Sequence, residues 1–123
     1  MTRRPAIRDA EASVIVSHGA DFFGQDRHSL KQIADLAEYV EASVSYADRL
    51  TVAPLIKFLK APAFGTFPAA DAAQLSEHLL RVARNRGIRP AVAALARSLG
   101  DAAARAASDG DPWSWTVEGP TAP

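Results

Sequence analysis

The apolar and polar positions along the chain first follow a strand pattern and then a helix pattern. "SVIV", residues 13–16, is apolar, rich in β-branched residues and closely followed by Gly19, which predicts a short strand. Ser29 and Gln32 then have the spacing of a capping box, in which each side chain bonds to the other residue's backbone N–H. An amphipathic helix is predicted to follow, because its apolar residues recur every three or four positions: Leu30, Ile33, Leu36, Ala37, Val40 and Val44.

Three further helices and two strands are predicted beyond a break at "SVSYAD". Thr51 can cap a helix that runs through Lys60, and "AFGTFP", residues 63–68, lies between prolines like a strand at a sheet edge. The third helix is predicted over 69–85, with Gly87 as a left-handed C-terminal cap. The fourth begins at Arg89–Pro90 and ends at Gly110. In the closing "PWSWTV", one strand face carries the three apolar residues Trp113, Trp115 and Val117.

This element order predicts an α+β fold dominated by helices. Four helices are expected to pack on a small sheet of about three short strands, whose order and direction the sequence leaves open. The chain length of 123 residues favours one globular domain, assigned to residues 12–118. Residues 1–11 are charged and contain a proline, which predicts a flexible arm, and residues 119–123 are expected to form a frayed tail.

Charge balance and the lack of cysteine limit the classes of function that the chain can have. Lys plus Arg and Asp plus Glu both number 14, and this balance argues against a dedicated nucleic-acid or membrane-surface binder unless the charges are segregated in space. There is no cysteine, which excludes disulfides, thiolate zinc sites and a cysteine nucleophile. No stretch has the features of a signal peptide or approaches the length of a membrane span. We therefore expect a cytoplasmic protein with no membrane contact.

The two ends of the predicted domain resemble a known kind of protein. "SHGADFFG" near the start and "PWSWTVE" near the end, with Ala- and Arg-rich helices between them, are similar to small uncharacterised proteins of high-GC bacteria. The resemblance covers residues 13–118. It implies a stand-alone cytoplasmic protein of unknown function, and it implies no activity and no functional residues.

The stretch "VIVSHGADFFGQDRHSL", residues 14–30, holds the residues best suited to chemistry: His18, Asp21, Asp26 and His28. Imidazole and carboxylate groups can bind a transition metal or share acid–base work, although no established metal motif is matched. The alternative is a strand-to-helix turn, in which the aspartates bond to the backbone and Phe22–Phe23 place an aromatic ring in the core. Ser17 adjoins His18, but neighbouring strand residues should point to opposite faces, which argues against a nucleophile–base pair.

Charges of opposite sign gather in different parts of the sequence. Four basic residues lie within nine positions and form a candidate contact patch: Arg81, Arg84, Arg86 and Arg89. Three acidic residues of the first predicted helix form a second candidate patch: Asp35, Glu38 and Glu41. Arginines can bind phosphates or carboxylates, but cations at a helix C-terminus are also favoured by the helix dipole and keep an Ala-rich surface soluble.

The leading prediction is a non-enzymatic protein-interaction module: a regulator, an immunity- or antitoxin-type binder, or an adaptor. It rests on the missing catalytic motifs and on charge segregation, which suits electrostatic docking to a protein partner or a second copy of the chain. No cofactor is expected. The first alternative is a nucleic-acid-binding regulator that uses Arg81–Arg89. The second is a small metal-dependent enzyme at the His18–His28 loop.

Overall fold

The computed structural model describes residues 12–21 and 23–119, and it confirms the α+β fold with four helices packed on one sheet. The predicted N-terminal arm and all of the predicted tail except Gly119 lie outside the described residues. The elements in chain order are β1 (Ser13–Ser17), β2 (Gln25–Ser29), α1 (Leu30–Ser43), α2 (Arg49–Lys60), β3 (Gly65–Phe67), α3 (Ala69–Ala83), α4 (Pro90–Asp109) and β4 (Trp113–Glu118).

The sheet has four antiparallel strands in the order β2-β1-β4-β3, one strand more than predicted. The additional strand, β2, is "QDRHS", which contains no apolar residue and therefore gives no hydrophobic alternation. It pairs with β1 along its whole length, from Ser13 opposite Ser29 to Ser17 opposite Gln25. The stretch predicted as a strand-to-helix turn is thus a β-hairpin that leads directly into α1.

The hairpin turn is closed by aspartate side chains and by a glycine in close contact with the opposite strand. One Asp21 carboxylate oxygen accepts hydrogen bonds from the backbone N–H groups of Phe23 and Gln25, both at 2.8 Å. A Cβ on Gly19 would overlap the backbone carbonyl carbon of Gln25, so only glycine fits there. Phe23 is 79% exposed, so it is not the aromatic ring that Phe22–Phe23 was predicted to place in the core. Phe22 lies outside the described residues, and for that residue the prediction stays a prediction.

The core lies between the sheet and the helices. Trp113 and Trp115 are fully buried and pack edge to face, with centroids 5.4 Å apart, as their shared strand face predicts. Helices α3 and α4 form a tight antiparallel pair, in which the buried Ser76 hydroxyl donates to the Gly100 carbonyl at 2.8 Å. A Cβ on Gly100 would approach the Leu80 side chain to 2.8 Å, so the glycine allows the two helices to come close.

The observed helix ends match the predicted ends except where side chains close a turn next to the helix. The capping box of Ser29 and Gln32 is present, and Gly110 ends α4 in the left-handed conformation. Helix α2 begins at Arg49 rather than at Thr51, because Ser45 and Asp48 close a turn just before it. Gly87 does not adopt the predicted left-handed cap.

Helix α3 instead ends at Ala83, and the chain turns through a side-chain bond of Asn85, which accepts from the Gly87 N–H at 2.9 Å. In the part of the chain that the structure describes, no helix combines the length and apolar character needed to cross a bilayer.

Candidate functional site

His18, the first residue of the predicted metal set, lies just after β1 in the left-handed conformation, with φ of 61°. This conformation is uncommon for a residue with a side chain. It breaks the alternation of the strand, so the Ser17 hydroxyl and His18 Nδ1 come within 2.8 Å of each other. The prediction that these adjacent side chains point apart is therefore wrong, because it assumed regular strand geometry at position 18.

Two aspartates that sequence reasoning missed lie opposite the other nitrogen of His18. His18 Nε2 is 3.2 Å from an Asp111 carboxylate oxygen and 3.9 Å from an Asp109 carboxylate oxygen. Both aspartates lie at the turn from α4 to β4, and β1 pairs with β4, so the sheet brings the two ends of the sequence together. Arg105 Nε donates to the His18 carbonyl oxygen at 2.7 Å and fixes the backbone there.

The other three residues of the predicted metal set do not join His18 in this cluster. Asp21 closes the hairpin turn. One Asp26 oxygen accepts from the Ala20 N–H at 3.0 Å, and the other accepts from the Ser98 hydroxyl at 3.2 Å. His28 lies half-buried on β2, and burial lowers its pKa, against the opposing attraction of the Asp26 carboxylate. Asp21 and Asp26 therefore have structural roles in the hairpin and its packing on α4.

The four arginines of the predicted contact patch are exposed at the corner between α3 and α4. The acidic patch on α1 is linked at both ends to basic residues of other elements. Arg89 Nη2 lies 3.9 Å from an Asp35 oxygen, and Lys60 Nζ lies 2.9 Å from a Glu41 oxygen. The fold thus brings together charges that the sequence separates. Exposed acidic residues that already pair within the chain are less available to a basic partner.

An apolar groove lies between the C-terminal end of α1 and one side of α2. It has a volume of about 370 Å³ and is lined by Glu41, Val44, Arg49, Ala53, Ile56, Lys57, Lys60 and Ala61. The small and aliphatic residues form an apolar lining, and three cations face one carboxylate among the charged lining residues. This groove, called the α2 groove below, is thus apolar and positively charged.

Two large side chains on α2 and just before it lie almost fully in solvent. Tyr46 is 89% exposed and Leu50 is 88% exposed. The Arg49 guanidinium, which belongs to the groove lining, lies 6.0 Å from the centre of the Tyr46 ring. Leu50 faces the other side of α2, where it lines a second depression with Pro54 and Phe67. The surface around α2 is therefore apolar well beyond the groove.

The sequence does not predict the groove, because the apolar side of an amphipathic helix is ordinarily buried in the core. Leu55 and Leu59 are indeed fully buried, but Ile56 is only half-buried and lines the groove. The available signal was the excess of apolar residues on a helix of only 12 residues, together with Tyr46 just before it.

A family model described as a domain of unknown function, DUF7739, matches residues 19–116. The chain belongs to the DUF7739 family. No curated protein and no solved structure matches it. The family match confirms the resemblance to an uncharacterised domain, and the family description names no activity. In this DUF7739 chain, the matched range contains the α2 groove, both charged patches, Asp109 and Asp111, and it begins one residue after His18.

Proposed function

We propose that this DUF7739 chain is a protein-interaction module that binds an acidic, apolar segment of a protein partner in the α2 groove. The observation that carries the proposal is an apolar groove with a basic rim, continued by the exposed Tyr46. Exposed apolar patches rimmed by charged residues are typical of protein-binding surfaces. The chain would then act as an adaptor, a regulator or an immunity-type binder, and we expect its partner in the cytoplasm.

The charge of the rim selects the acidic partner. Arg49, Lys57 and Lys60 are exposed around the groove, and the one carboxylate of the lining, Glu41, already accepts the Lys60 ammonium at 2.9 Å. A basic segment would meet uncompensated positive charge from Arg49 and Lys57. Acidic side chains at the edge of a bound segment would pair with that charge, while its apolar side chains enter the groove. The arginines at the α3–α4 corner add long-range attraction of the same sign.

Site-specific photo-crosslinking in the native cell tests the proposal. A benzophenone amino acid at Ala53, which is exposed and lines the groove, probes the groove directly. The matched control is Ala104, which is exposed on α4 and does not line the groove. Mass spectrometry of the adducts then identifies the crosslinked segment and its composition. We expect position 53 alone to capture a segment that is rich in Asp or Glu and in apolar residues.

A charge-reversed pair of variants checks the basic rim. Lys57→Glu should reduce the yield of the position-53 adduct about fivefold, because one exposed attraction is replaced by a repulsion of similar size. Lys31→Glu, an exposed lysine of α1 outside the groove, should leave the yield unchanged. Equal adducts at positions 53 and 104 would overturn the proposal. A basic segment, a nucleic acid or a second copy of this chain as the captured partner would also overturn it.

A further inference from the structure

Three potential metal-ligating atoms lie close together at the surface, and they belong to His18, Asp109 and Asp111. The imidazole nitrogen and the two carboxylate oxygens all lie within 4.8 Å of one another, and the His18–Asp111 distance is 3.2 Å. A transition metal bonds such atoms at about 2.0–2.2 Å, so its ligands lie roughly 3–4 Å apart. Small rotations of the two exposed aspartate side chains therefore suffice to complete this geometry.

The imidazole of His18 is held in the orientation that metal binding requires. Metal-binding histidines usually donate their other ring N–H to an oxygen, which fixes the ring and raises its basicity. Ser17 Oγ lies 2.8 Å from His18 Nδ1 and also accepts from the Ser114 N–H at 2.9 Å. A serine oxygen has two lone pairs, so it can accept both N–H groups. The tautomer with the proton on Nδ1 then presents a free lone pair on Nε2 toward the aspartates.

The electrostatic setting of the two aspartates also favours a cation. Asp109 is the last residue of α4, where the unpaired carbonyls carry partial negative charge, and Asp111 follows two residues later. The last turn of α4 contains no basic residue. Arg105 directs its Nε to the His18 carbonyl, and it forms no ion pair with either aspartate within the described residues. Negative charge is thus concentrated around the Nε2 atom of His18.

We infer that His18, Asp109 and Asp111 bind a divalent first-row transition metal ion, with water in the remaining positions. One imidazole and two carboxylates suit zinc, cobalt, iron or manganese better than calcium or magnesium, which prefer oxygen ligands alone. The ion would tie the end of β1 to the α4–β4 turn. The lining of the α2 groove contains none of these three residues, so the inferred metal site does not depend on the proposed function.

Cobalt(II) is the probe for the test, because its visible spectrum reports on bonded nitrogen and oxygen ligands. The tag-free full-length chain is first cleared of metal with a chelator and then titrated with cobalt chloride. We expect one Co²⁺ per chain, a saturable visible absorption band, and loss of that band when zinc is added. Metal binding to the native state should also raise the thermal midpoint.

Variants identify the ligands. Asp109→Asn should weaken Co²⁺ binding at least about tenfold, since even partners outside the ligand set commonly contribute 10–100-fold. His18→Asn should abolish the band, and asparagine tolerates the left-handed backbone of position 18. Asp101→Asn, on the same helix, and His78→Asn are the matched controls and should bind as the parent does.

Circular dichroism of the metal-free variants establishes that they are folded. The Asp109 side chain is 60% exposed, so its replacement by an amide is expected to keep the fold even if His18→Asn does not. No saturable band in the parent chain would overturn the inference. An unchanged band in Asp109→Asn, or equal losses in the control variants, would overturn it as well.

Discussion

Lowering the pH should destabilise the chain through His28. Its ring lies half-buried on β2 beside Gln32 and Ser98, and among the described residues its Nε2 has no hydrogen-bond partner. Burial disfavours the charged imidazole and lowers its pKa from the ordinary value of 6.5, although the Asp26 carboxylate acts in the opposite direction. The unfolded chain therefore takes up a proton at a higher pH than the native chain does, and this difference favours unfolding in acid.

The size of the effect follows from one proton. Stability contributed by a neutral buried histidine is complete above about pH 6.5 and falls as the pH drops below that value. While only the unfolded chain is protonated, the free energy of unfolding falls by at most about 1.4 kcal/mol per pH unit. The Asp26 attraction narrows the pH interval over which only the unfolded chain is protonated, and so it reduces the total loss of stability. Between pH 7.5 and 5.5, His28 should thus remove up to about 1 kcal/mol.

Urea denaturation at several pH values measures this contribution. The parent chain is compared with His28→Gln, which cannot titrate, and with the control His78→Gln. The third histidine, His18, is present in all three chains, so its contribution cancels in the comparison. We expect the stability difference between parent and His28→Gln to shift against the parent as the pH falls. If that difference is the same at pH 7.5 and 5.5, or if His78→Gln changes it equally, the reasoning from burial is refuted.

Two other variants test the helix packing and the arginine patch. Ser76→Ala removes the buried hydroxyl that donates to the Gly100 carbonyl. The variant should have a free energy of unfolding about 0.5–1.5 kcal/mol lower than the parent, measured from the urea midpoint. An equally stable variant would show that the hydrogen bond contributes nothing to stability. A second variant replaces the arginine patch by glutamines at Arg81, Arg84, Arg86 and Arg89, and the fold should be kept because these side chains are exposed. The variant should associate more slowly with the crosslinked partner segment in a stopped-flow assay, and the association rate should depend less on salt. An unchanged association rate would show that the arginine patch is a solvated surface that takes no part in binding.

The sequence predicted what depends on neighbours along the chain. The capping box at Ser29, the left-handed Gly110 and the apolar stripes of the helices each need only residues a few positions apart. The shared face of Trp113 and Trp115 likewise follows from strand periodicity, and both rings are fully buried. These features arise from local hydrogen bonds and side-chain periods, which a single sequence displays directly.

Strand β2 and the α2 groove could not be predicted in this way. β2 contains only polar residues and is a strand because β1 offers it a complete ladder of backbone partners. Ile56 has the apolar character of a core residue and packs partly against the core, but among the described residues no element covers the rest of its side chain, which lines the groove. Both outcomes depend on which surfaces meet, and hydrophobic pattern alone does not encode that.

The same distinction applies to the cluster of His18, Asp109 and Asp111. The sequence determined that an imidazole and a serine lie together at the end of the first strand, and that two aspartates lie around Gly110. Only the tertiary structure brought Asp111 to His18, 93 positions away, by pairing β1 with β4. Long-range strand pairing is selected by burial of the whole sheet against the helices, so the position of each polar side chain at the sheet edge is fixed only when the core is complete.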